Sequence, residues 1–452
     1  MPTARIAQTP GHAFYDKLNA LLAGWRFDQR VEHLCRRYFT GPLGRPSLPP
    51  GVYFRCLLIG YFEGIDSERG IAWRVADSLS LRTFLGYGLD EATPDHSTIS
   101  RTRRLFWLST HQAVFRWVLK RLVDAGLVRG KTIAIDATTL EANAALRTIV
   151  RRDTGDGYEA YLRKLAKESG LTEPTKAELA RFDRTRKKKG SNREWRHPHD
   201  PDARITKMKD GRTHLAHKAE HAVDVDTGAV VAVTLHPADA GDTTTVTATL
   251  DAAMGATKQA GLDPVAESVL DRGYHSDGVL EALETREVRG YVAEPQRKRR
   301  RWRRQHGEAA SDAQRRLYAN RRRLRGRRNK ALQAKRAEFS ERSHAHLYET
   351  GGLRRVHLRG RENIWKRLVI HAAGFNLGLV MRAQFGIGTP RGLQGLPAAL
   401  LRLVHWLRCV VARPRHSLGS RLLAFGSRLM GPTDTSRQSR RFIIRRTSAT
   451  GS

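Results

Sequence analysis

Apolar positions recur at three- and four-residue intervals through the first 130 residues, and this spacing predicts a run of α-helices. Tyr15, Leu18, Leu21 and Leu22 mark one stripe, and Val52, Phe54, Leu57, Leu58 and Tyr61 mark a second. Pro94-Asp-His-Ser-Thr-Ile-Ser-Arg opens a further helix that Asp95 or Ser97 can cap. Phe115, Val118, Leu119, Leu122 and Val123 form the last stripe of this region, stopped by Gly126.

From Lys131 onward the pattern changes. The apolar run Thr132-Ile-Ala-Ile-Asp predicts a buried strand over 132–136, and polar helical sequence follows from 145 to about 200. Two more strands are expected near 213–225 and 229–235, joined by the short turn Asp226-Thr-Gly. A helix (242–258), a strand (265–271), a helix (276–285) and a strand (288–293) come next; 296–336 is basic and helical, and 341–383 helical and well packed. Three early, mostly antiparallel strands followed by alternating helices and strands is the order of a ribonuclease H-like sheet. The expected fold is therefore α/β, a ribonuclease H-like mixed sheet with flanking helices, preceded by an all-helical N-terminal domain. The expected domains are a helical DNA-binding or assembly domain (1–128), a catalytic domain (129–390) with basic helical insertions near 145–200 and 296–336, and a basic C-terminal tail (391–452).

Composition sharpens this. A hydrophobic content of 40% supports a folded chain, while a net charge of +36 on 452 residues opposes compaction unless a phosphate-rich partner meets it. Cys35, Cys56 and Cys409 form no zinc pattern and no disulfide framework, which points to a reducing compartment. No export signal opens the chain, and the longest apolar stretches carry His371, Asn376, His405 or Arg408. A cytoplasmic protein without a membrane partner is expected. No phosphate-binding GxxxxGK(S/T) loop and no dinucleotide fingerprint occurs, so nucleotide-driven chemistry is not indicated.

The candidate chemistry lies in carboxylates at strand ends. Asp136 closes the first strand and Asp271 closes Val269-Leu-Asp-Arg-Gly-Tyr. A carboxylate at the end of a buried strand is costly unless a cation meets it. Two such ends with a third acid on a helix suit a pair of Mg2+ ions, with Mn2+ as a substitute, and in-line phosphoryl transfer on nucleic acid. Asp136 would bridge the ions, with Asp271 and Glu341 each holding one; Glu349 and Glu362 are competitors for the third place. As an ordinary turn residue, Asp271 could equally cap the bend at Gly273. His217 and His221 share a strand face but have no fixed partner for zinc; His344 and His346 could contact phosphate or orient Glu341.

Phosphate contacts are expected from Arg101, Arg103 and Arg104 in the N-terminal module, and from Lys187, Lys188 and Lys189 in the first insertion. Arg321 and Arg322 in the second, with Arg342, Arg354, Arg355 and Arg359 near the third acid, complete the set. Trp195 and Trp302 lie in basic surroundings where they could stack an unpaired base, whereas Trp365 and Phe375 fit a core.

Taken together, these motifs resemble a bacterial insertion-sequence transposase of the DDE class, over roughly residues 15–390. The resemblance is carried by Thr93-Pro-Asp-His-Ser-Thr-Ile-Ser-Arg, by Lys131-Thr-Ile-Ala-Ile-Asp-Ala-Thr with Asn143, and by Val269-Leu-Asp-Arg-Gly-Tyr-His-Ser. Pro201-Asp-Ala-Arg, Val223-Asp-Val-Asp, Glu341-Arg-Ser-His-Ala-His, Gly352-Leu-Arg-Arg and Arg361-Glu-Asn-Ile-Trp-Lys-Arg add to it. It implies a metal-binding triad of Asp136, Asp271 and Glu341, with two ions per site. It also implies double-stranded DNA partners (the element's terminal inverted repeats and a target), a homodimer in the synaptic complex, and a bacterial nucleoid-associated setting. Related enzymes often place Tyr and Arg before the glutamate and Lys seven residues after it; here Ala334, Ala337 and Tyr348 stand there. A hydrolytic nuclease of the same fold and a non-catalytic basic nucleic-acid-binding protein are the alternatives.

Overall fold

The computed structural model describes residues 12–39, 47–186, 190–208, 211–296 and 308–393. Its N-terminal part is helical throughout: α1 (Ala13–Gly24), α2 (Phe27–Cys35), α3 (Pro50–Glu63), α4 (Glu68–Ala76), α5 (Leu79–Leu85), α6 (His96–Leu105) and α7 (Leu108–Asp124). Local chemistry sets the ends. Pro50 opens α3, where its missing N–H costs nothing. Ser67, Ser78 and Asp95 cap α4, α5 and α6 through their side-chain oxygens. Of the two candidate caps on α6, Asp95 takes the role: its carboxylate accepts the Ser97 N–H at 2.8 Å. Cys35 and Cys56 are buried free thiols; Cys409 lies outside the described residues.

The sheet is mixed. β1 (Thr132–Glu141) pairs antiparallel with β5 (Thr213–Asp224), and β5 pairs antiparallel with β6 (Val230–Pro237). On its other side β1 runs parallel to β7 (Glu267–Leu270), which runs parallel to β8 (Arg289–Val292). The order across the sheet is β6-β5-β1-β7-β8, with β4 (Arg204–Lys207) sharing the outer edge of β5. β1 extends to Glu141, five residues beyond the expected end at Asp136, because Ala137 to Glu141 continue the ladder with β5. Between β1 and β4, β2 (Val150–Arg151) pairs with β3 (Trp195–Arg196) beside α8 (Tyr158–Glu168) and α9 (Lys176–Thr185). Trp195 is 2% exposed in a small core with Ile149 and Leu215, so it packs this insertion and offers no stacking face.

The remaining helices are α10 (Asp242–Gln259), α11 (Asp277–Thr285), α12 (Glu308–Arg325), α13 (Arg327–His344) and α14 (Arg361–Phe385). The expected continuous helix over 341–383 is broken. After a π-helical turn at Ala345–Thr350, Gly352 adopts a left-handed φ of 75°. The chain then runs beside the end of β1, where Glu141 bridges Arg355. α14 packs on α3, α6 and α7 as well as on β6, so one continuous core joins the N-terminal helices to the sheet. By length and composition α14 could cross a bilayer, but 72% of its most apolar stretch is buried inside the protein. It is a core helix, and each fully buried Leu or Ile on it contributes roughly 1.5–3 kcal/mol.

Candidate active site

Asp136 and Asp271 lie at the same end of two adjacent parallel strands. The β1–β7 ladder ends at Ala134 opposite Val269; Asp136 lies two residues further along β1, and Asp271 two residues further along the chain, one past the end of β7 at Leu270. The register of the last ladder pair therefore brings both aspartates to the same end of adjacent strands. β1 leaves β7 here and is bridged again at Glu141, where its N–H donates to Arg354 O and its carbonyl accepts from Val356 N–H. Asp136 sits in the opening between these two pairings, its side chain 23% exposed. Asp271 also caps the following 3-10 turn (Arg272–Tyr274), accepting the Gly273 N–H at 2.8 Å. The turn-capping reading of Asp271 is thus the one its hydrogen bond shows.

α13 crosses this face strand by strand. Arg328 pairs with Glu267 of β7 at 2.5 Å, and Gln333 donates to Leu270 O and Tyr291 O at the ends of β7 and β8. Arg336 places a guanidinium nitrogen 3.8 Å from Asp136 Oδ2. Ser343 meets His221 of β5 at 3.1 Å, and the Tyr348 hydroxyl closes on the other ring nitrogen of His221. His221 is the residue directly opposite Asp136 in the ladder. Burial holds the His221 imidazole well below its usual pKa, with His344 adding to the effect. It therefore packs as a neutral ring, and its partners are hydroxyls and another ring. Burial likewise lowers His346, beside Phe375. His217 is buried against Asp200.

Glu341 lies on α13 between the Arg336 and Ser343 contacts, with its side chain exposed. Among the described residues its carboxylate has no ion pair, whereas Glu349 pairs with Arg354 at 2.6 Å and Glu362 with Lys366 at 2.8 Å. Among the described residues no three His, Cys, Asp or Glu side chains gather closely enough to hold an ion. The two aspartates are hard oxygen donors at the same end of adjacent strands, which fits Mg2+; the third acid is not drawn in beside them. Arg336 went unnoticed in the sequence. Its signal is the stripe Leu332, Arg336, Ser340 and Ser343, set at helical spacing in a basic helix and buried or half-buried.

The basic candidates divide. Arg101, Arg104, Arg322, Arg355 and Arg359 are exposed. Arg103 is not: its side chain is 8% exposed and paired with Glu68 at 3.0 Å, so it ties α6 to α4. Arg321 pairs with Glu294 at 2.5 Å, and Arg342 with Glu338 one helical turn away. Arg354 donates to Thr138 Oγ1 and Thr139 O of β1 beside the opening. Lys187, Lys188, Lys189, Trp302 and nearly all of the expected tail lie outside the described residues. Asn376 exchanges two hydrogen bonds with the Val230 backbone, and Lys366 donates to Arg103 O, so both act in packing.

Nothing matches among curated proteins or solved structures. A family model described as "Transposase domain (DUF772)" matches residues 4–105, the stretch that ends with α6, and associates this helical region with transposition.

Proposed function

We propose that this protein is a DNA transposase of the DDE class, cutting at the terminal inverted repeats of its element and joining the 3′ ends to target DNA. The single observation that carries the proposal is that Asp136 and Asp271 each follow the last β1–β7 ladder pair by two residues, at the opening where β1 leaves β7. The strand order β6-β5-β1-β7-β8, with the first three antiparallel and the last two parallel, supports a ribonuclease H-like sheet. The transposase-domain match and the net charge of +36 support the DNA substrate.

Asp136 and Asp271 would hold divalent ions, with Glu341 as the third ligand because its carboxylate is exposed and without an ion pair among the described residues. Bound Mg2+ supplies activation of a water or 3′-hydroxyl and stabilisation of the leaving oxygen. The chain's own groups do the rest. β1 fixes Asp136 on rigid backbone, and the 3-10 turn after β7 holds Asp271. Arg336 balances Asp136 and lies where it can turn to a phosphate oxygen. Arg355 and Arg359, exposed beyond the π-helical turn, hold the DNA backbone without reading sequence. Cytoplasmic, nucleoid-associated action as a homodimer follows from the same reading.

The test is joining of a labelled element end to a supercoiled plasmid. Wild-type protein with Mg2+ or Mn2+ should join the end, chelator should abolish joining, and Asp271→Asn should remove joining while duplex binding persists. Metal-dependent cutting without joining would favour a nuclease. Equal behaviour of wild type and Asp271→Asn would favour a packaging protein, a reading consistent with the ungathered third acid.

A further inference from the structure

On the opposite face of the sheet, Glu220 of β5 is fully buried. It accepts three hydroxyl hydrogen bonds: Thr245 at 3.0 Å and Thr249, both from α10, and Tyr274 at 2.8 Å. Tyr274 is 1% exposed and ends the 3-10 turn that Asp271 begins. We infer that Glu220 is a positioning residue for Asp271, acting through Tyr274 to fix the turn on which that carboxylate stands. This deepens the transposase reading and rests on it.

Three observations converge. First, a carboxylate buried inside a sheet is an expensive way to fill space, because an apolar side chain of similar volume serves as well or better. Its presence is explained by what it grips, and two of its donors come from one helix while the third comes from the aspartate's own turn. Second, the path is clear. Glu220 stands opposite Ala137 in the β1–β5 ladder, and a methyl side chain there leaves room for the tyrosine to reach across β1 from the β7 side. Burial, then Glu220, Asp136 and Asp242, hold the Tyr274 phenol well above its usual pKa, so it remains a donor. Third, α10 also packs against the turn. Lys218, two residues before Glu220 and 5% exposed, pairs with Asp242 at 2.5 Å. The space beside Gly273 is closed on one side by that aspartate: a Cβ there would lie 2.8 Å from Asp242 Oδ2 and 3.1 Å from Asp271 Oδ1. The turn therefore has few alternatives. Asp271 is aimed by a hydrogen bond within the turn, and the turn is held by a buried polar network beneath it.

The experiment uses the full chain as wild type, Tyr274→Phe and Glu220→Gln. Hydrogen exchange is measured over Leu270–Ser276, alongside thermal melting and the Mg2+ concentration giving half-maximal joining. Tyr274→Phe keeps the ring and removes the bond, so melting should move little. Amide exchange across the turn should accelerate about tenfold, the scale of one hydrogen bond. The metal requirement should rise by a similar factor, with the joining rate at saturating metal changing less. Glu220→Gln keeps a carbonyl oxygen that accepts from Tyr274, so its turn exchange should rise by less than that of Tyr274→Phe. Unchanged exchange in Tyr274→Phe overturns the clamp. Faster exchange with an unchanged metal requirement leaves only a structural contact and overturns the positioning role. A wild type without metal-dependent joining overturns the transposase reading and the catalytic meaning of the clamp, while the exchange result still reports whether the turn is held.

Discussion

The two faces of the sheet carry carboxylates of the same chemistry under opposite conditions. On the α13 face, Asp136 is 23% exposed, at an opening in the ladder, with Arg336 at 3.8 Å. On the α10 face, Glu220 is fully buried and accepts from three hydroxyls. A satisfied, enclosed carboxylate is committed to the protein; one set at an opening near a long, movable cation can take a ligand. Position in the ladder therefore separates function from architecture more sharply than residue type does. The histidines show the same contrast: His221 lies opposite Asp136 on the α13 face, yet packing makes it structural.

The sharpest break in this comparison comes from exchanging the two acids' roles. Asp136→Asn should lower joining by about 1000-fold or more, on the several-kcal/mol scale of metal-assisted catalysis, with melting unchanged or raised. Glu220→Ala should instead cost about 3 kcal/mol of stability by stranding its buried hydroxyl partners. Denaturant unfolding beside the joining assay reads both; a similar profile for the two variants would erase the distinction. Next in size, Glu341→Gln should lower joining about 100-fold, whereas Glu349→Gln should stay within about threefold. The reverse order would move the third acid to Glu349.

Acid sensitivity tests the buried rings. Burial holds His111 down to about 3 and His236 to about 4. An imidazole with a depressed folded pKa favours the native state at neutral pH and loses that contribution as pH falls below the unfolded value near 6.5. The loss continues until the folded value is reached, because the unfolded chain binds the extra proton. At pH 5 each such histidine should cost about 2 kcal/mol. Comparing denaturant midpoints at pH 7.5 and pH 5 checks this, and equal midpoints would show the rings are not held neutral. The smallest effect is on the outer surface. Arg104→Ala should reduce the salt dependence of duplex binding by about one counterion, with stability unchanged. Arg103→Ala should destabilise the fold, since it leaves Glu68 without its partner.

Much of the sheet was legible because its signals are local. The turn Asp226-Thr-Gly marks the β5–β6 hairpin, and the apolar runs before Asp136 and Asp271 locate β1 and β7. What escaped was non-local. Nothing near Asp136 shows that β1 continues five residues further, because that extension depends on β5 lying alongside. Arg103 reads as one of three equivalent arginines until Glu68 of α4 is packed against it. Trp195 reads as a stacking platform until α8 and β2 enclose it.

By itself, the sequence determined most of the element types, the two strand-end aspartates and the strong positive charge, since periodicity, strand-end acids and net charge are properties of neighbouring or summed residues. Tertiary structure alone decided which charges are spent on packing, that Arg336 reaches Asp136, and that Glu220 grips the turn of Asp271. Those facts depend on strands and helices far apart in the chain, whose burial changes the cost of every polar group they enclose.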